Sequence, residues 1–291
     1  MLRVRSLFLV LAFAVSAVVT HIPSAMAQGF VFTAIPDQDE TRLRERFGKV
    51  ADYLKQRLGV DVSYVPVKSY AAAVTAFKND QVQLAWFGGL SGVRARQLVS
   101  GSEAIAQGYE DQFFVTYFIA NTSTGLSYGL PFPKGMKGKT FTFGSKGSTS
   151  GRLMPEFHIR DVFKDTPNKV FSKVGFSGDH SRTIALVQSG AFEVGALNYK
   201  TWEKEAALGK IDPSKVQVIW QTPTYPDYQW SIRGDVDARY GAGFKNKVRD
   251  ALLAIKDQAL LEAFPRQSFV PATNADYQPI VDTAKEIGLI D

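Results

Sequence analysis

From Gln28 onward the chain alternates short β-type apolar runs with longer runs whose apolar positions recur every three or four residues. FVFTAIP (30–36) is apolar and β-rich. Leu43, Phe47, Val50, Ala51, Leu54 and Leu58 then share one helical face, which Gly59 closes. VDVSYVPV (60–67) alternates as a strand, 69–79 reads as a helix, VQLAWF (82–87) as a buried strand and 90–98 as a helix. FFVTYFIA (113–120) predicts a longer strand, and a polar, turn-rich stretch follows it. A second series then begins with TFTF (140–143), a helix over about 152–163, KVFSKV (169–174), a helix at 180–190, EVGAL (193–197) and VQVIW (216–220). QTPTYPDYQW (221–230) is a second connector, and the last sixty residues look mainly helical.

Strands alternating with helices predict an α/β fold with largely parallel sheets and helices on both faces. The length and the two turn-rich connectors point to two lobes. The expected division is 28–122 plus 225–291 for the first lobe and 123–224 for the second, with hinges near 121–133 and 221–230. There is no internal repeat and no low-complexity segment.

The first 27 residues have another character. Arg3 and Arg5 precede an apolar run from Leu7 to Val19, and Ala25-Met26-Ala27 supplies a small-x-small cleavage pattern. This predicts a cleaved secretory signal and a periplasmic location. Its removal takes away two arginines and lowers the formal charge from +6 to +4. No later stretch approaches the roughly 18 uncharged apolar residues that a membrane span needs. Cysteine is absent, so neither a disulfide nor a lipid-bearing Cys is available, and stability has to come from burial. The mild basic excess is scattered, which argues against nucleic acid and favours a small anionic ligand.

The chemistry concentrates in GSKGSTSGRLMP (144–155), where a strand runs through a small polar loop into a helix. In an open α/β sheet, ligands lie beyond the carboxyl ends of strands at such junctions. The first N–H groups of a helix lack internal partners and, with the helix dipole, attract anions. Ser148, Thr149 and Ser150 add hydroxyls, and Gly147 and Gly151 permit close backbone approach. The same cluster also serves ordinary helix capping, which this stretch alone leaves open. It lacks the Lys-Ser/Thr ending of a P-loop and does not fit GxGxxG, so a nucleotide site is poorly supported.

VKSYAAAVTAFKNDQVQLAWFGGLSG, GSTSGRLMP and GDHSRTIALVQSGAFEVGALN, in this order, resemble the phosphonate/phosphite-type periplasmic binding proteins of ABC transporters. The resemblance implies a type 2 periplasmic-binding-protein fold whose lobes close on a tetrahedral oxyanion, delivered to an ABC permease and its ATPase. It implies ligand contacts from Ser148, Thr149, Ser150 and the backbone of Gly151, and from Tyr70 and His180. Glu193 stands where the family has an Asp. The family's Trp-Tyr-Gly appears as Trp86-Phe87-Gly88, and a second pocket Tyr is replaced near Phe114. IPDQDETRLRERF together with AWFGGLSGV also resembles members named as selenate-binding proteins.

Asp37, Asp39 and Glu40 follow the first strand and suit capping of the helix at 40–58. An acid in the pocket, Glu193 or Asp37, would read the ligand's protonation state. A carboxylate accepts a hydrogen bond only from a ligand that carries a proton, as phosphate, phosphite and phosphonates do and selenate does not at neutral pH. Ser148 or Ser150 with His180 would mimic a hydrolytic triad, but no GxSxG elbow is present, and no catalytic role is expected. Two histidines downstream of the leader, without Cys, argue against zinc. No cofactor is expected, and a monomer is. A sensor that presents its oxyanion to a membrane histidine kinase is the alternative to transport.

Overall fold

The computed structural model describes residues 29–290; the leader expected over 1–27 lies outside them. The first series is β1 (Phe30–Ala34), α1 (Glu40–Leu58), β2 (Val62–Tyr64), α2 (Tyr70–Lys78), β3 (Leu84–Phe87), α3 (Gly89–Leu98) and β4 (Glu103–Gly108). The second is β5 (Thr116–Asn121), β6 (Thr140–Phe143), α4 (Met154–Phe163), α5 (Pro167–Val170), β7 (Lys173–Phe176), α6 (His180–Gln188), β8 (Val194–Asn198), α7 (Tyr199–Ala207) and β9 (Val216–Gln221). The chain finishes with β10 (Gln229–Ile232), α8 (Val236–Tyr240), α9 (Phe244–Leu253), α10 (Gln258–Ala263), β11 (Phe269–Pro271) and α11 (Gln278–Glu286).

Two sheets result, one ordered β11-β4-β10-β3-β1-β2 and the other β7-β6-β8-β5-β9. β1, β2 and β3 run parallel, as do β6, β7 and β8, so their carboxyl ends and following loops gather at one edge of each sheet. β10 enters the first sheet antiparallel between β3 and β4, and β5 enters the second antiparallel between β8 and β9. The sheets are therefore mixed rather than largely parallel. The returning strand β10 lies inside the stretch expected to be a connector and helices.

Local chemistry explains the elements. Asp39 caps α1 by accepting from the Arg42 amide at 3.1 Å, and Gly59 ends it at φ 70°, a left-handed conformation open to glycine. The apolar face of α1 buries Leu43, Phe47, Val50, Leu54 and Leu58 in the core, about 1.5–3 kcal/mol for each large side chain. Phe118, Phe141, Phe143 and Ile159 pack one face of the second sheet, and Ile119, Ile184, Val187 and Leu197 the other.

The chain passes between the sheets at 109–115 and 222–228, and these crossovers pair. Phe114 and Tyr225 exchange backbone hydrogen bonds of 2.9 and 3.0 Å, and the Asp227 amide donates to Asp111 O at 2.9 Å. The expected first hinge at 121–133 is corrected by this. That stretch follows β5 and is tied to the second sheet by Thr122 N to Lys215 O and Gly129 N to Ile219 O. Residues 116–121, assigned above to the first lobe, belong to the second sheet. The apolar run FFVTYFIA spans both the crossover and the strand, so its pattern carries no break where the chain changes sheets. Among the described residues no helix is long and apolar enough to cross a membrane, and no group of three or more His, Cys, Asp or Glu is placed to hold a metal.

Candidate functional site

Where the two sheet edges face each other, the loops after β1, β3, β6 and β7 converge with the second crossover. The β6 loop enters its helix through a wide turn in which Leu153 N bonds to Ser148 O and Met154 N to Thr149 O, five residues apart. Such turns are uncommon and recur at functional sites. The amides of Thr149 and Ser150 precede the first of these bonds and have no intrahelical acceptor. Ser148, Thr149 and Ser150 are 1–2% exposed.

The three hydroxyls do different work. Ser148 Oγ accepts from the Gly151 amide at 2.9 Å and caps the turn. Thr149 Oγ1 accepts from Leu90 N at 3.0 Å, which joins the β6 loop to the start of α3 on the other sheet. Ser150 Oγ is buried without a partner. Gly151, expected to offer its amide to a ligand, has its N–H committed to Ser148 Oγ and its carbonyl to Gly144 N at 2.7 Å. A methyl group at Gly151 would come within 3.1 Å of Gly144 Cα and His180 Cε1, so its part is close approach.

Tyr70 opens α2, is 2% exposed, and its hydroxyl has no hydrogen-bond partner. Gly147 lies against it from the other half, where an added Cβ would stand 3.0 Å from Tyr70 Cβ. His180 begins α6 fully buried, and its amide donates to Asp37 O at 3.1 Å across the interface. Its Nδ1 accepts from Asn198 N at 3.3 Å, and burial lowers its pKa to about 4, so the ring is neutral near pH 7. Asp37 is 3% exposed and its Oδ1 is unpartnered.

Glu193 is the correction. It sits just before β8, at the end of that strand opposite Asn198 and the converging loops. Its carboxylate accepts from Thr140 N at 2.8 Å and pairs with Lys139 at 3.4 Å, and the Thr140 amide chiefly holds its pKa below the usual range. Physically it ties the start of β6 to the start of β8. Trp86 and Phe114 are core residues, stacked on Tyr228 or packed against Tyr199 and Tyr225.

The acid that sequence reasoning missed is Asp227, in the second crossover. It is 1% exposed; Oδ1 accepts from Gly89 N at 2.9 Å, at the start of α3, and Oδ2 has no partner. Burial raises its pKa to about 7. Gly88 is hemmed in by the same groups, since a Cβ there would lie 3.1 Å from Asp227 Oδ1 and 3.3 Å from Thr149 Oγ1. Tyr228 was missed too; its hydroxyl accepts from Asn198 Nδ2 at 2.9 Å and lies 3.5 Å from His180 Nε2. The one sequence signal for Asp227 was an acid between apolar residues in a Pro- and Tyr-rich connector.

Four buried polar atoms without partners lie on the loops and helix starts that meet between the two sheets: Tyr70 OH, Ser150 Oγ, Asp37 Oδ1 and Asp227 Oδ2. Leaving such groups unpaired costs on the order of 1–3 kcal/mol each, so the set demands a polar occupant. Two hydroxyl donors and the Thr149–Ser150 amides suit anionic oxygens. Two carboxylate acceptors suit a hydroxyl on the same molecule.

Residues 32–277 match the family model described as ABC transporter, phosphonate, periplasmic substrate-binding protein. The chain is 38% identical over 264 residues to the probable ABC transporter phosphite binding protein PhnD1 of Prochlorococcus marinus MIT 9301, covering 88% of this chain and 89% of that one. It is 24% identical to the phosphate-import protein PhnD of Mycolicibacterium smegmatis, over 88% of this chain and 86% of that one. The structure of the Prochlorococcus PhnD1 in complex with methylphosphonate superposes with a TM-score of 0.85, covering 90% of this chain and 98% of that one.

Proposed function

The chain belongs to the periplasmic substrate-binding proteins of phosphonate ABC transporters, and from that premise we propose that its ligand is a small tetrahedral phosphorus oxyanion bound in a singly protonated form. The protein is the substrate-binding component of an ABC importer for phosphonate or phosphite. Its family is one of binding proteins rather than enzymes, and our reading has no bond made or broken at the site.

The observation that carries the ligand class is the pairing of two unpartnered carboxylates, Asp37 and Asp227, with two unpartnered hydroxyls, Tyr70 and Ser150. Phosphite, methylphosphonate and phosphate near neutral pH offer several anionic oxygens together with an O–H for a carboxylate. Sulfate and selenate offer none, so their two negative charges would meet desolvated acids with no ligand hydrogen between them. The expectation of selenate is not supported by this arrangement. The Prochlorococcus PhnD1 complex with methylphosphonate is consistent with it.

In this proposal the oxygens are held by Ser150, the free hydrogen of Ser148, Tyr70 and the Thr149 and Ser150 amides. His180 and Thr149 bridge the halves, and Asp37 and Asp227 take the ligand's proton in hydrogen bonds. The units carried by the two sheets move as lobes about the paired crossovers at 109–115 and 222–228, in a hinge closure. The exported monomer, released from its leader, hands the ligand to its permease.

Calorimetric titration at pH 7 tests this. One-to-one binding of phosphite or methylphosphonate is expected, with sulfate and selenate at least a hundredfold weaker. Comparable affinity for the fully deprotonated ions would refute the assignment.

A further inference from the structure

For Asp37 to accept a hydrogen bond from a ligand, its carboxylate has to be held in place at the interface. A small cavity beside it, about 10 Å³, is lined by Asp37, Gln38, Arg46, Asn198, Tyr228 and Arg266 among others. That is room for one water molecule. Three of the lining side chains carry buried polar atoms without partners: Asp37 Oδ1, Gln38 Oε1 and Arg46 Nη2. One donor and two acceptors around a one-water space form a bridging geometry.

Arg46 is out of place by ordinary packing rules. It lies on the core face of α1 beside Leu43, Phe47 and Val50, only 5% exposed, with its guanidinium 5.6 Å from the ring centres of Phe47 and Phe264. It forms no ion pair among the described residues, and an unpaired charge so placed is costly. Burial is the larger influence and disfavours its charge, and Asp37 is the carboxylate that acts against it. The other cations nearby are engaged elsewhere. Arg266 holds Asp111 through bonds of 2.7 and 2.8 Å, and Lys200 faces Glu203 at 3.3 Å. His180 is neutral, and Lys204 does not line the cavity.

We propose that Arg46 is the positioning residue for Asp37: through one buried water it supplies the countercharge that keeps Asp37 an oriented carboxylate, and so sets the site's preference for a protonated oxyanion. This rests on the placement of Asp37 at the ligand site. Without Arg46, the Asp37 carboxylate is no longer held toward the ligand, and both the hydrogen bond it accepts and its repulsion of a fully deprotonated ion are weakened.

The test is calorimetry at pH 7 with methylphosphonate and with sulfate, the latter by competition where direct heats are small. Arg46→Met, Arg46→Gln, Arg46→Lys, Asp37→Asn and the Arg46→Met/Asp37→Asn double variant are compared with the wild type. Arg46→Met is expected to weaken methylphosphonate at least about tenfold, or about 1.4 kcal/mol, and to narrow the methylphosphonate-to-sulfate ratio. Asp37→Asn is expected to narrow that ratio similarly, and the double variant to go no further than Asp37→Asn. Arg46→Lys, which keeps the charge, is expected to restore most of the ratio. Arg46→Gln, which keeps a donor without the charge, carries the same prediction as Arg46→Met should the latter fold poorly. An unchanged ratio in the Met and Gln variants, or additive effects in the double variant, overturns the role of Arg46. An unchanged ratio in Asp37→Asn overturns the placement of Asp37 itself, and this inference with it.

Discussion

If the halves close over a ligand as proposed, Asp227 should oppose that closure increasingly as pH rises. In the structure its carboxyl is 1% exposed, Oδ1 accepts from Gly89 N and Oδ2 has no partner. Burial raises its pKa from 3.8 to about 7. If opening returns Asp227 to water and to its ordinary value, the closed form binds the proton more tightly than the open one. Closure without ligand is then unopposed below pH 4, and the opposition grows as pH rises from about 4 to about 7. A displacement of about three units corresponds to about 4 kcal/mol at neutral pH. Between pH 5 and pH 7 the contribution of Asp227 alone changes by about 2 kcal/mol, about thirtyfold in the closure equilibrium. His180, whose burial lowers its pKa from 6.5 to about 4, works in the opposite sense where opening returns it to water: its closed form sheds a proton, so its opposition to closure fades as pH rises through the same window. Asp227→Asn keeps an oxygen for Gly89 but removes the charge. The unliganded variant should close more readily than wild type, by a larger margin at pH 7 than at pH 5. Single-molecule energy transfer between dyes on the two halves reads this directly. An Asp227→Asn variant whose closure tracks wild type at both pH values would refute the reasoning.

Other consequences follow from the same contacts. Ser150→Ala should weaken methylphosphonate by about 1.5–3 kcal/mol with an unchanged melting temperature, because its hydroxyl serves no internal bond. Ser148→Ala should instead also lower stability by about 1 kcal/mol through loss of the cap on Gly151 N, measured by urea unfolding. Gly147→Ala places a methyl 3.0 Å from Tyr70 Cβ across the interface, and should slow closure and lower affinity without destabilising the open protein. Arg42 of α1 pairs with the buried Glu205 of α7 across the halves. Arg42→Gln should raise the ligand off-rate about fivefold, or about 1 kcal/mol, since the arginine is partly exposed, as stopped-flow release would show.

Much of the alternation of strands and helices was legible in the sequence, because α1, β3 and β6 carry apolar periodicity that burial requires. β10 and β4 were not. Gln229, Trp230 and Ser231 lack alternation since β10 is central in its sheet, buried on both faces, and preceded by a Pro-rich crossover. The first hinge was misplaced because Phe114 is as apolar as the strand that follows it. At the site, the β6 loop stands out by composition, and Tyr70 and His180 by their positions at helix starts. Glu193 misled: its place before β8 is shared with the family pattern, but its carboxylate serves Thr140 and Lys139 at the far end of the sheet. Asp227 and Arg46 were invisible for a common reason. A charge in a connector or on a helix reads as solvated until tertiary contacts show it buried.

A crystal structure of the complex with methylphosphonate, at neutral pH, tests the central claim most directly. The account predicts one phosphonate between the sheet edges, with oxygens within hydrogen-bond distance of Ser150 Oγ and Tyr70 OH and its protonated oxygen on Asp227 Oδ2 or Asp37 Oδ1. A phosphonate that leaves both carboxylates untouched, or sits outside the crevice that Ser148–Ser150 faces, would contradict it.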